Sequence, residues 1–500
     1  MTPSIVALTD LAPQLKALIA RGGRLALLTA SPELDGRLAL VTLVLCPDEQ
    51  AGEGRLRPEL WRSPLVDDTL PPLTRMVPQA HWAKRALYDF FGLRPADQAR
   101  PNPLLLHEAW PAGLHPLRPA GTPAEGEESR YRFLEVGGEG VYEIPVGPIH
   151  AGIIEPGHFR FSCYGEVIQN LEIRLGYQHR GLEEQLARTP WRQAHHLAQT
   201  ISSDTAAGNG LAHALAVESL LGIEPPPAAV ALRAALLETE RVACHLGDLL
   251  GLCADTGFNA GATAFSLLRA RTQGLSEWLC GSRYQMHAIV PGGWARPLSA
   301  ERAEQALAAL RDIAAGFERA EPLLLDNAGA LERMTRTGVV PAHIAHEIGL
   351  VGPAGRAAGI AYDVRAALDQ PPYAALGWQP APGGEGDVLA RASVRAAEIR
   401  ASLALIERLL LRHDEAAPLR VDLPERLPAE RWACGIVEAW RGELVHLLAT
   451  GPDGEILRYA VKDPSFNNWT GLAVAARGEV VSDFPLCNKS FGLSYSGNDL

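Results

Sequence analysis

Hydrophobic and polar positions in the first part of the chain predict a helix followed by a β-hairpin. Residues 10–23 have the apolar spacing of a short helix, with Asp10 as its predicted cap and Gly22 as its end. Two apolar runs at 24–30 and 38–46 flank a turn-rich segment, as the strands of a hairpin do. The chain is therefore predicted to begin with a small α/β unit.

A second amphipathic helix is predicted within 77–95, where it ends near Gly92. The segment 121–130 is small, acidic and without apolar periodicity, which indicates a linker. We therefore predict one domain over 1–120 and another over 131–500.

Long helical periodicity dominates the second predicted domain. It extends over 182–320 and again over 387–413, and the clearest helix ends at Gly257. Hairpins flank these helices, one turning at 164–166 and one at 451–454. The fold class is therefore predicted to be α+β, with a small N-terminal α/β domain and a large domain of long central helices and peripheral antiparallel hairpins.

Composition narrows the class of protein. The 500 residues are 47% hydrophobic and 21% charged, with a formal net charge of −12 and no run of lysine or arginine, so nucleic acid is not an expected partner. The longest apolar run, 38–46, is about half the length of a membrane span, and the first residues lack a signal-peptide core. We expect a chain that is soluble, or peripheral to a membrane through other subunits.

Seven cysteines are spread along the chain without any CxxC pair. The odd number, the wide spacing and the absence of a secretion signal predict reduced, mostly buried thiols in a cytoplasmic compartment. Zinc knuckles and cysteine-bound iron–sulfur clusters are not expected in this chain.

A polar loop precedes an alanine-rich helix that is predicted to begin near Asn209 or Gly210. Ser202 and Asp204 lie in the loop, and His213 is expected in the first turn of the helix. A Ser/Asp/His hydrolase is one interpretation, but the chain has no G-x-S-x-G elbow. A polar loop with a helix cap is the better-supported alternative.

Two further clusters contain side chains that can transfer protons. His150 and Glu155 lie in a loop shaped by glycine and proline, where ordinary exposed loop chemistry is an equal alternative. His179, Arg180 and Glu183 lie where a strand gives way to a helix, and Glu183 is expected in its first turn. The helix dipole alone would favour a carboxylate there, so a structural role is also open.

Four charged or polar residues share one face of the clearest helix: Glu238, Arg241, His245 and Asp248. The neighbouring leucines leave two interpretations open, a solvated polar stripe and a buried polar network. The glycine-punctuated segment 349–365 lacks the strand–G-x-G-x-x-G–helix context, so we reject a Rossmann nucleotide site there.

An ordered set of motifs in the second domain resembles one family. The motifs are "GPIHAGIIEPGHFRF", "YQHRGLEE", "AHALAVESLLGIE", "ETERVACHLGDLLGLCADTGF", "GLVGPAGRAAGIAYDVR" and the tail "DFPLCNKSFGLSYSGND". Together they resemble the large subunit of group 4 membrane-bound nickel–iron hydrogenases, which is homologous to the 49-kDa-type subunit of respiratory complex I. The earlier "HWAKRALYDFFGL" and "HPLRP" resemble the complex I 30-kDa-type subunit, often fused in front.

The resemblance implies a metal site that this chain lacks. Nickel–iron relatives bind their metals through one CxxC pair just before the "LAHALAVE" helix and a second near the C-terminus. Alignment on that helix puts the first pair at Ala206 and Asn209, and the tail keeps only Cys487. Neither alanine nor asparagine suits a thiolate-preferring site. We predict no metal and no hydrogenase activity, with Ser203, Ala206, Asn209 and His213 lining a vacated cofactor pocket.

The resemblance to complex I implies a quinone in the same cavity, held by a tyrosine and a histidine. Those two positions fall at Ser203 and Ile154, so the usual headgroup contacts are absent. Quinone stays a candidate ligand that would have to be bound differently.

Four residues do match the hydrogenase branch. His150, Glu155, Arg180 and Glu183 are retained, and a glutamate of the RGxE type is implied in proton transfer in hydrogenases. We predict that these residues serve as proton-transfer or pocket residues, because imidazole and carboxyl pKa values can be moved towards neutrality.

The expected function is that of a subunit in a membrane-associated complex I/hydrogenase-4-like respiratory oxidoreductase. The resemblance implies a small iron–sulfur subunit, a ferredoxin-like iron–sulfur subunit and antiporter-like membrane-arm subunits as partners. It also implies a peripheral position on the cytoplasmic face of the inner membrane. The alternative is a non-catalytic structural or coupling subunit between a redox module and the membrane arm.

Overall fold

The structure is a computed structural model that describes residues 1–33, 36–98, 101–119, 131–150, 154–381 and 383–500. The predicted linker at 121–130 lies outside the described residues. Within them, no helix is long and apolar enough to cross a membrane.

The N-terminal part is a mixed sheet with helices packed against it. Its elements are β1 (Ser4–Ile5), α1 (Leu8–Ala20), β2 (Arg24–Pro32), β3 (Leu38–Pro47), β4 (Leu56–Pro64), β5 (Thr69–Leu70), α2 (His81–Phe91) and β6 (Arg94–Pro95). The main sheet has the order β1-β4-β3-β2, in which β1 runs parallel to β4 and the other pairs are antiparallel. Strands β2 and β3 are buried at nearly every position, so they carry continuous apolar runs.

The hairpin and the two helices predicted for this part are present, but one helix begins earlier than predicted. The hairpin β2–β3 and the helix α2 form where expected, and α2 ends at Gly92 with φ 73°. Helix α1, however, begins at Leu8, so Asp10 lies in its first turn and is not its cap. Leu8 packs against the core together with Leu11, and this packing extends the helix past the polar residue.

The large domain has two antiparallel sheets. They are β7 (Val141–Val146), β8 (His158–Tyr164) and β9 (Val167–Arg174), and β12 (Trp432–Ala439), β13 (Gly442–Thr450) and β14 (Ile456–Lys462). A short pair also forms between β10 (Ile289–Val290) and β11 (Gly293–Trp294). The hairpins β8–β9 and β13–β14 confirm the prediction, but β12 was missed as a strand.

Helices form the centre of the large domain. They are α3 (Leu182–Arg188), α4 (Ala194–Ala198), α5 (Ala206–Leu221), α6 (Pro227–Asp255), α7 (Asn259–Cys280), α8 (Ala300–Leu325), α9 (Ala328–Met334), α10 (Ala342–Glu347), α11 (Gly352–Ala357), α12 (Val364–Ala367), α13 (Val388–Leu410), α14 (Ser465–Ala476), α15 (Phe484–Phe491) and α16 (Ser496–Asp499). The α+β class is confirmed. Helix α6 packs against both α7 and α13, and α5 lies on β12.

Helix α5 approaches β12 very closely. A Cβ atom at Gly435 of β12 would lie 1.9 Å from the carbonyl oxygen of Ala212, so only glycine fits. Helix α5 begins at Ala206, earlier than predicted, so His213 lies two turns inside it and is fully buried. The small residues at its start let it pack deep in the domain, and this burial extends the helix through Asn209.

All seven cysteines lie among the described residues, and none forms a disulfide. Five are buried and two, Cys244 and Cys434, are partly buried, as predicted.

Candidate functional site

Two segments far apart in sequence meet in the interior of the large domain. The Oγ atoms of Ser202 and Ser494 lie 3.2 Å apart, and both residues are buried. The backbone N–H of Gly497 donates to Ser494 Oγ at 2.9 Å. We call the meeting of 202–205 with 494–497 the loop–tail contact.

An ion pair fixes the loop side of this contact. Arg441, in the turn between β12 and β13, donates to both carboxylate oxygens of Asp204 at 2.7 Å. The neighbouring Trp440 donates its Nε1–H to the Asp204 carbonyl at 2.9 Å. The thiol of Cys244 on α6 also donates to this carbonyl, at 3.3 Å. A bidentate pair of this kind holds the loop in one geometry.

A buried carboxyl group lies directly beneath the loop. Glu240 on α6 accepts the backbone N–H groups of Ala207 at 2.7 Å and Gly208 at 3.0 Å, at the N-terminus of α5. Burial raises the pKa of Glu240 to about 8, although the two N–H donors oppose this, and nearby Asp204 adds to the rise. At neutral pH this group therefore holds a proton that it can release.

A chain of buried polar side chains runs inward from the loop. His446 Nε2 lies 3.0 Å from Asn209 Oδ1, its Nδ1 lies 2.7 Å from the Tyr459 hydroxyl, and that hydroxyl lies 2.8 Å from His213 Nδ1. Since the amide of Asn209 donates to the Thr205 carbonyl, its oxygen faces His446. One tautomer set satisfies all these contacts: His446 donates to Asn209, Tyr459 donates to His446, and His213 donates to Tyr459.

Both histidines of this chain are held neutral. Burial lowers the pKa of His213 to about 3 and that of His446 well below its usual value. In the tautomer set above, His213 Nε2 is an acceptor that is buried without a partner among the described residues.

The predicted loop residues Glu155 and His150 support the tail and the loop itself. Glu155 accepts the backbone N–H groups of Tyr495 at 3.2 Å and Ser496 at 3.3 Å. His150 Nε2 lies 2.9 Å from the carbonyl oxygen of Gly157, within its own loop. Residues 151–153 lie outside the described residues.

Arg180 and Glu183 bind different parts of the site. Arg180 donates to the Ile201 carbonyl at 2.6 Å and to the Ser496 carbonyl at 3.3 Å, so it joins loop and tail. Glu183 lies in the first turn of α3, as predicted, but its carboxylate accepts from Arg458 and from a backbone N–H of β14, both at 2.8 Å.

The predicted pocket residues do not share one environment. Ala206, Asn209 and His213 are fully buried on α5, whereas Ser203 is exposed on the loop. Cys487 is buried next to Gly338, so its thiol belongs to different surroundings. Their role as lining of a pocket stays a prediction.

Five residues of the site were not predicted from the sequence: Glu240, Arg441, Asp463, His446 and Tyr459. Glu240 was identifiable as a carboxyl on the clearest helix, and Asp463 as an acid between a strand and a proline. No group of three or more His, Cys, Asp or Glu side chains that could hold a metal ion is found in the described part of the chain.

The polar stripe on α6 belongs to a second buried cluster, which we call the charge cluster. It contains Glu238, Arg241, His245, Arg356, Asp363, Arg365, Glu398 and Glu438. Arg365 pairs with Glu238 at 2.9 Å, and Arg356 pairs with Glu398 at 2.7 Å. Of the two open interpretations, the buried network is correct for three of the four stripe residues, while Asp248 is partly exposed and pairs with Arg395.

Comparison with known proteins identifies family models and relatives that this chain resembles. The chain matches the family model "Respiratory-chain NADH dehydrogenase, 49 Kd subunit" over 255–432 and the "30 Kd subunit" model over 6–126. Formate hydrogenlyase subunit 5 of Escherichia coli (strain K12) is 32% identical over 86% of this chain and 76% of the relative. Hydrogenase-4 component G of the same organism is also 32% identical, over 86% of this chain and 75% of the relative.

The chain belongs to this hydrogenase and complex I subunit family. The fold agrees, since a chain in the membrane-bound sulfane sulfur reductase, an archaeal respiratory membrane complex, superposes with a TM-score of 0.68. The two chains are 26% identical, over 72% of this chain and 99% of the other. The resemblance inferred from the motifs is thus confirmed, while the domain boundaries at 120 and 131 stay predictions.

By the resemblance given above, the ligand cysteines of nickel–iron relatives fall at the start of α5, at Ala206 and Asn209, and in the C-terminal tail. The loop–tail contact lies directly before this start of α5. The side chains that meet here belong to Ser202 and Ser494, and the backbone N–H of Gly497 donates to Ser494. The positions matched to the quinone-contacting tyrosine and histidine of complex I, Ser203 and Ile154, are both exposed.

Proposed function

We propose that this chain is the catalytic-type large subunit of a membrane-associated respiratory oxidoreductase that works without a nickel–iron centre. The loop–tail contact would be the place where electrons reach their acceptor. The observation that carries the proposal is the 3.2 Å approach of Ser202 to Ser494, which joins the C-terminal tail to the loop directly before Ala206 and Asn209, the two positions matched to a cysteine pair of the relatives.

The donor atoms at this contact do not suit the metals. The hydroxyl oxygens of Ser202 and Ser494 are hard ligands, and neither Ala206 nor Asn209 offers a thiol, whereas the nickel–iron centre is held by soft thiolates. The thiol of Cys244, which donates to the Asp204 carbonyl, is partly buried, and burial together with Asp204 and Glu240 raises its pKa well above the usual value. One protonated thiol cannot replace four thiolates.

What the contact retains is a set of groups that handle protons. Glu240 lies under the loop with a pKa of about 8, and Glu155 and Arg180 tie the tail to its neighbours. These groups suit reduction of an acceptor that takes up protons with its electrons, and a quinone is one such acceptor. It would have to bind by residues other than Ser203 and Ile154.

The proposed partners are a small iron–sulfur subunit, a ferredoxin-like iron–sulfur subunit and antiporter-like membrane-arm subunits. We place the chain at the cytoplasmic face of the inner membrane, where it would be peripheral. Support comes from relatives that are named hydrogenlyase and hydrogenase subunits, and from a structural neighbour described as part of a respiratory membrane complex. Electrons would enter through a partner's cluster.

Metal analysis of the purified native complex tests the proposal. Iron should be present only in the amount that the partner clusters need, and nickel should be substoichiometric. Reduced methyl viologen should yield no hydrogen, whereas a nickel-containing hydrogenase of the same family, assayed in parallel, should produce it. One nickel per chain, or hydrogen production, would overturn the proposal.

A structural or coupling role without turnover is the second candidate. The bidentate pair of Asp204 with Arg441 favours it, because these side chains occupy part of the loop–tail contact. The two candidates differ in one measurement. With clusters intact and reduced, the catalytic role requires transfer to an added quinone such as decylubiquinone that Glu240→Gln slows, and the structural role requires that no transfer occurs.

A further inference from the structure

A cavity of about 70 Å³ lies between the N-terminal domain and the large domain. Its apolar wall comes from β2 and α2 of the N-terminal domain. Its polar wall comes from the large domain: Glu183, Arg458, Lys462, Asp463, Asn467 and Asn498. A space of this size and polarity holds several water molecules, since one water needs about 10–15 Å³ of such volume.

Three acceptor atoms belonging to this wall lack a protein partner. They are Asp463 Oδ2, Asn467 Oδ1 and Asn498 Oδ1, all buried and without a hydrogen bond among the described residues. Leaving a buried acceptor unsatisfied costs about 1–3 kcal/mol, so such atoms normally bind ordered water. Three of them around one cavity define a binding place for a small water cluster.

Asp463 differs from the charged residue beside it. Lys462 donates to Glu443 at 2.6 Å. Asp463 has no ion-pair partner in the described ranges, and it accepts a hydrogen bond from the Ser465 N–H at 2.8 Å. Arg441 and Asp204 face it from the loop side. Burial raises the pKa of Asp463, and the attraction of Arg441 opposes this rise without cancelling it.

The carboxyl group of Asp463 also borders the loop–tail contact. A Cβ atom placed on Gly497 would lie 2.5 Å from Asp463 Oδ2 and 2.9 Å from Ser494 Oγ. The same oxygen therefore lies beside the candidate site, while its residue lines the cavity. On the far side, Glu183 lines the cavity and also an open surface groove that includes Arg188.

We propose that water bound in this cavity and the carboxyl group of Asp463 form a proton route from the surface groove to the loop–tail contact. The inference rests on the proposed function for its direction. Each electron that a partner iron–sulfur cluster delivers to a quinone-class acceptor is matched by one proton. The Asp463 carboxylic acid transfers its proton to the reduced acceptor oxygen, and the resulting carboxylate regains one from solvent through the water bound in the cavity.

The substitution Asp463→Asn tests the route in the purified complex. Asparagine keeps an oxygen for the Ser465 N–H and has the same shape, but it holds no acid proton. With reduced methyl viologen as donor and decylubiquinone as acceptor, kcat should fall by about 100-fold with little change in KM. The solvent deuterium isotope effect on kcat should rise.

Asp387→Asn is the matched control. Asp387 is equally buried in the same domain, but its two oxygens accept the N–H groups of Ala390 and Arg336, both at 2.7 Å, at the start of α13. Its loss should lower stability without changing kcat of the folded complex. An Asp463→Asn complex with unchanged kcat overturns the route.

Infrared spectroscopy of the full chain separates this inference from the proposed function. Glu240 and Glu438 also contribute carbonyl bands of protonated acids at neutral pH, so the readout is the difference spectrum of wild type minus Asp463→Asn. It should contain one further carboxylic-acid carbonyl band, and this band should shift in D₂O. If the wild-type complex does not reduce decylubiquinone, the proposed acceptor is wrong, while this band still supports Asp463 as a proton carrier. Absence of the band overturns the route whatever the activity.

Discussion

Helix α6 carries two polar faces that are both buried and yet differ in charge balance. One face contributes Glu238 and Arg241 to the charge cluster, where each carboxylate meets a guanidinium group. The other face presents Glu240 to the start of α5, where it accepts only backbone N–H groups among the described residues. The two glutamates lie two positions apart on one helix, so the comparison isolates the effect of the counter-charge.

The pKa values express this difference. Burial raises the pKa of both carboxyl groups, but Arg241 and Arg365 outweigh it at Glu238 and hold its pKa at about 2. No guanidinium group contacts Glu240 within the described ranges, and its pKa rises to about 8. A charge-paired buried acid is structural, whereas an unpaired one near neutrality is a candidate for function.

The charge cluster itself has one acid too many. Four carboxylates share three guanidinium groups, and the buried His245 stays neutral because burial lowers its pKa. The excess falls on Glu438, whose pKa burial and Asp363 raise to about 7. In the charge cluster too, therefore, the carboxyl group without a full counter-charge is the one whose pKa approaches neutral pH.

The largest effect is expected from Arg356→Met in the charge cluster. Arg356 contacts Glu398 at 2.7 Å and Glu438 at 2.8 Å, and its loss leaves these buried carboxyls short of positive charge. The free energy of unfolding, measured by urea denaturation, should fall by about 3–5 kcal/mol. Arg311→Met is the control, because its pair with Glu407 is exposed and should contribute only about 0–1 kcal/mol. Equal losses of unfolding free energy in the two variants would contradict the expected difference between a buried and an exposed ion pair.

A smaller effect, with a definite pH dependence, is expected from Glu240→Gln. The pKa of Glu240 rises from 4.5 to about 8 on folding, so its contribution to stability is fully present below pH 4.5 and is lost as the pH rises to about 8. The uncharged variant should escape that loss. Relative to wild type, its free energy of unfolding should increase by on the order of 2 kcal/mol between acid and alkaline pH.

The exposed Glu304→Gln serves as the control for this experiment and should leave the pH profile unchanged. A Glu240→Gln profile parallel to that of wild type would mean that Glu240 is charge-compensated after all, and the contrast between the faces of α6 would not hold.

The smallest effect is expected from Tyr459→Phe. The lost hydroxyl lies between His213 and His446, so both Nδ1 atoms lose a buried hydrogen-bond partner. Thermal or urea denaturation should show a loss of about 1–3 kcal/mol. Tyr142→Phe, whose exposed hydroxyl donates to the Gly165 carbonyl, should change stability by less than about 0.5 kcal/mol. A loss of stability no larger than that of Tyr142→Phe would show that the Tyr459 hydroxyl makes no strong hydrogen bond to either histidine.

Sequence patterns predicted well those elements whose conformation depends mainly on their own residues. The helices α2 and α6 follow from their periodicity and from the glycines that end them, at Gly92 and after Asp255. Strand β12 was missed because its two-residue turn consists of Trp440 and Arg441, which are not turn-forming types. Those residues are there because they hold the 202–205 loop.

The site was harder to predict because its parts come from distant segments. Glu155 and Arg180 were identified as candidates, but their binding to the tail depends on folding and on nothing local. The pattern of charged residues on α6 was visible in the sequence, but the sequence did not show which of these side chains would form ion pairs. That answer depends on β12, the loop and α13, which no periodicity of α6 contains.

Gly497 illustrates how substitutions in this region depend on one another. Its backbone is not in the left-handed region, so its own φ does not require glycine; the obstacle is the carboxyl of Asp463, 2.5 Å from any added Cβ. Any side chain introduced at position 497 would clash with this carboxyl unless residue 463 had first been shortened. The order of two substitutions therefore matters: a smaller residue at position 463 has to come first, and only then can position 497 accept a side chain.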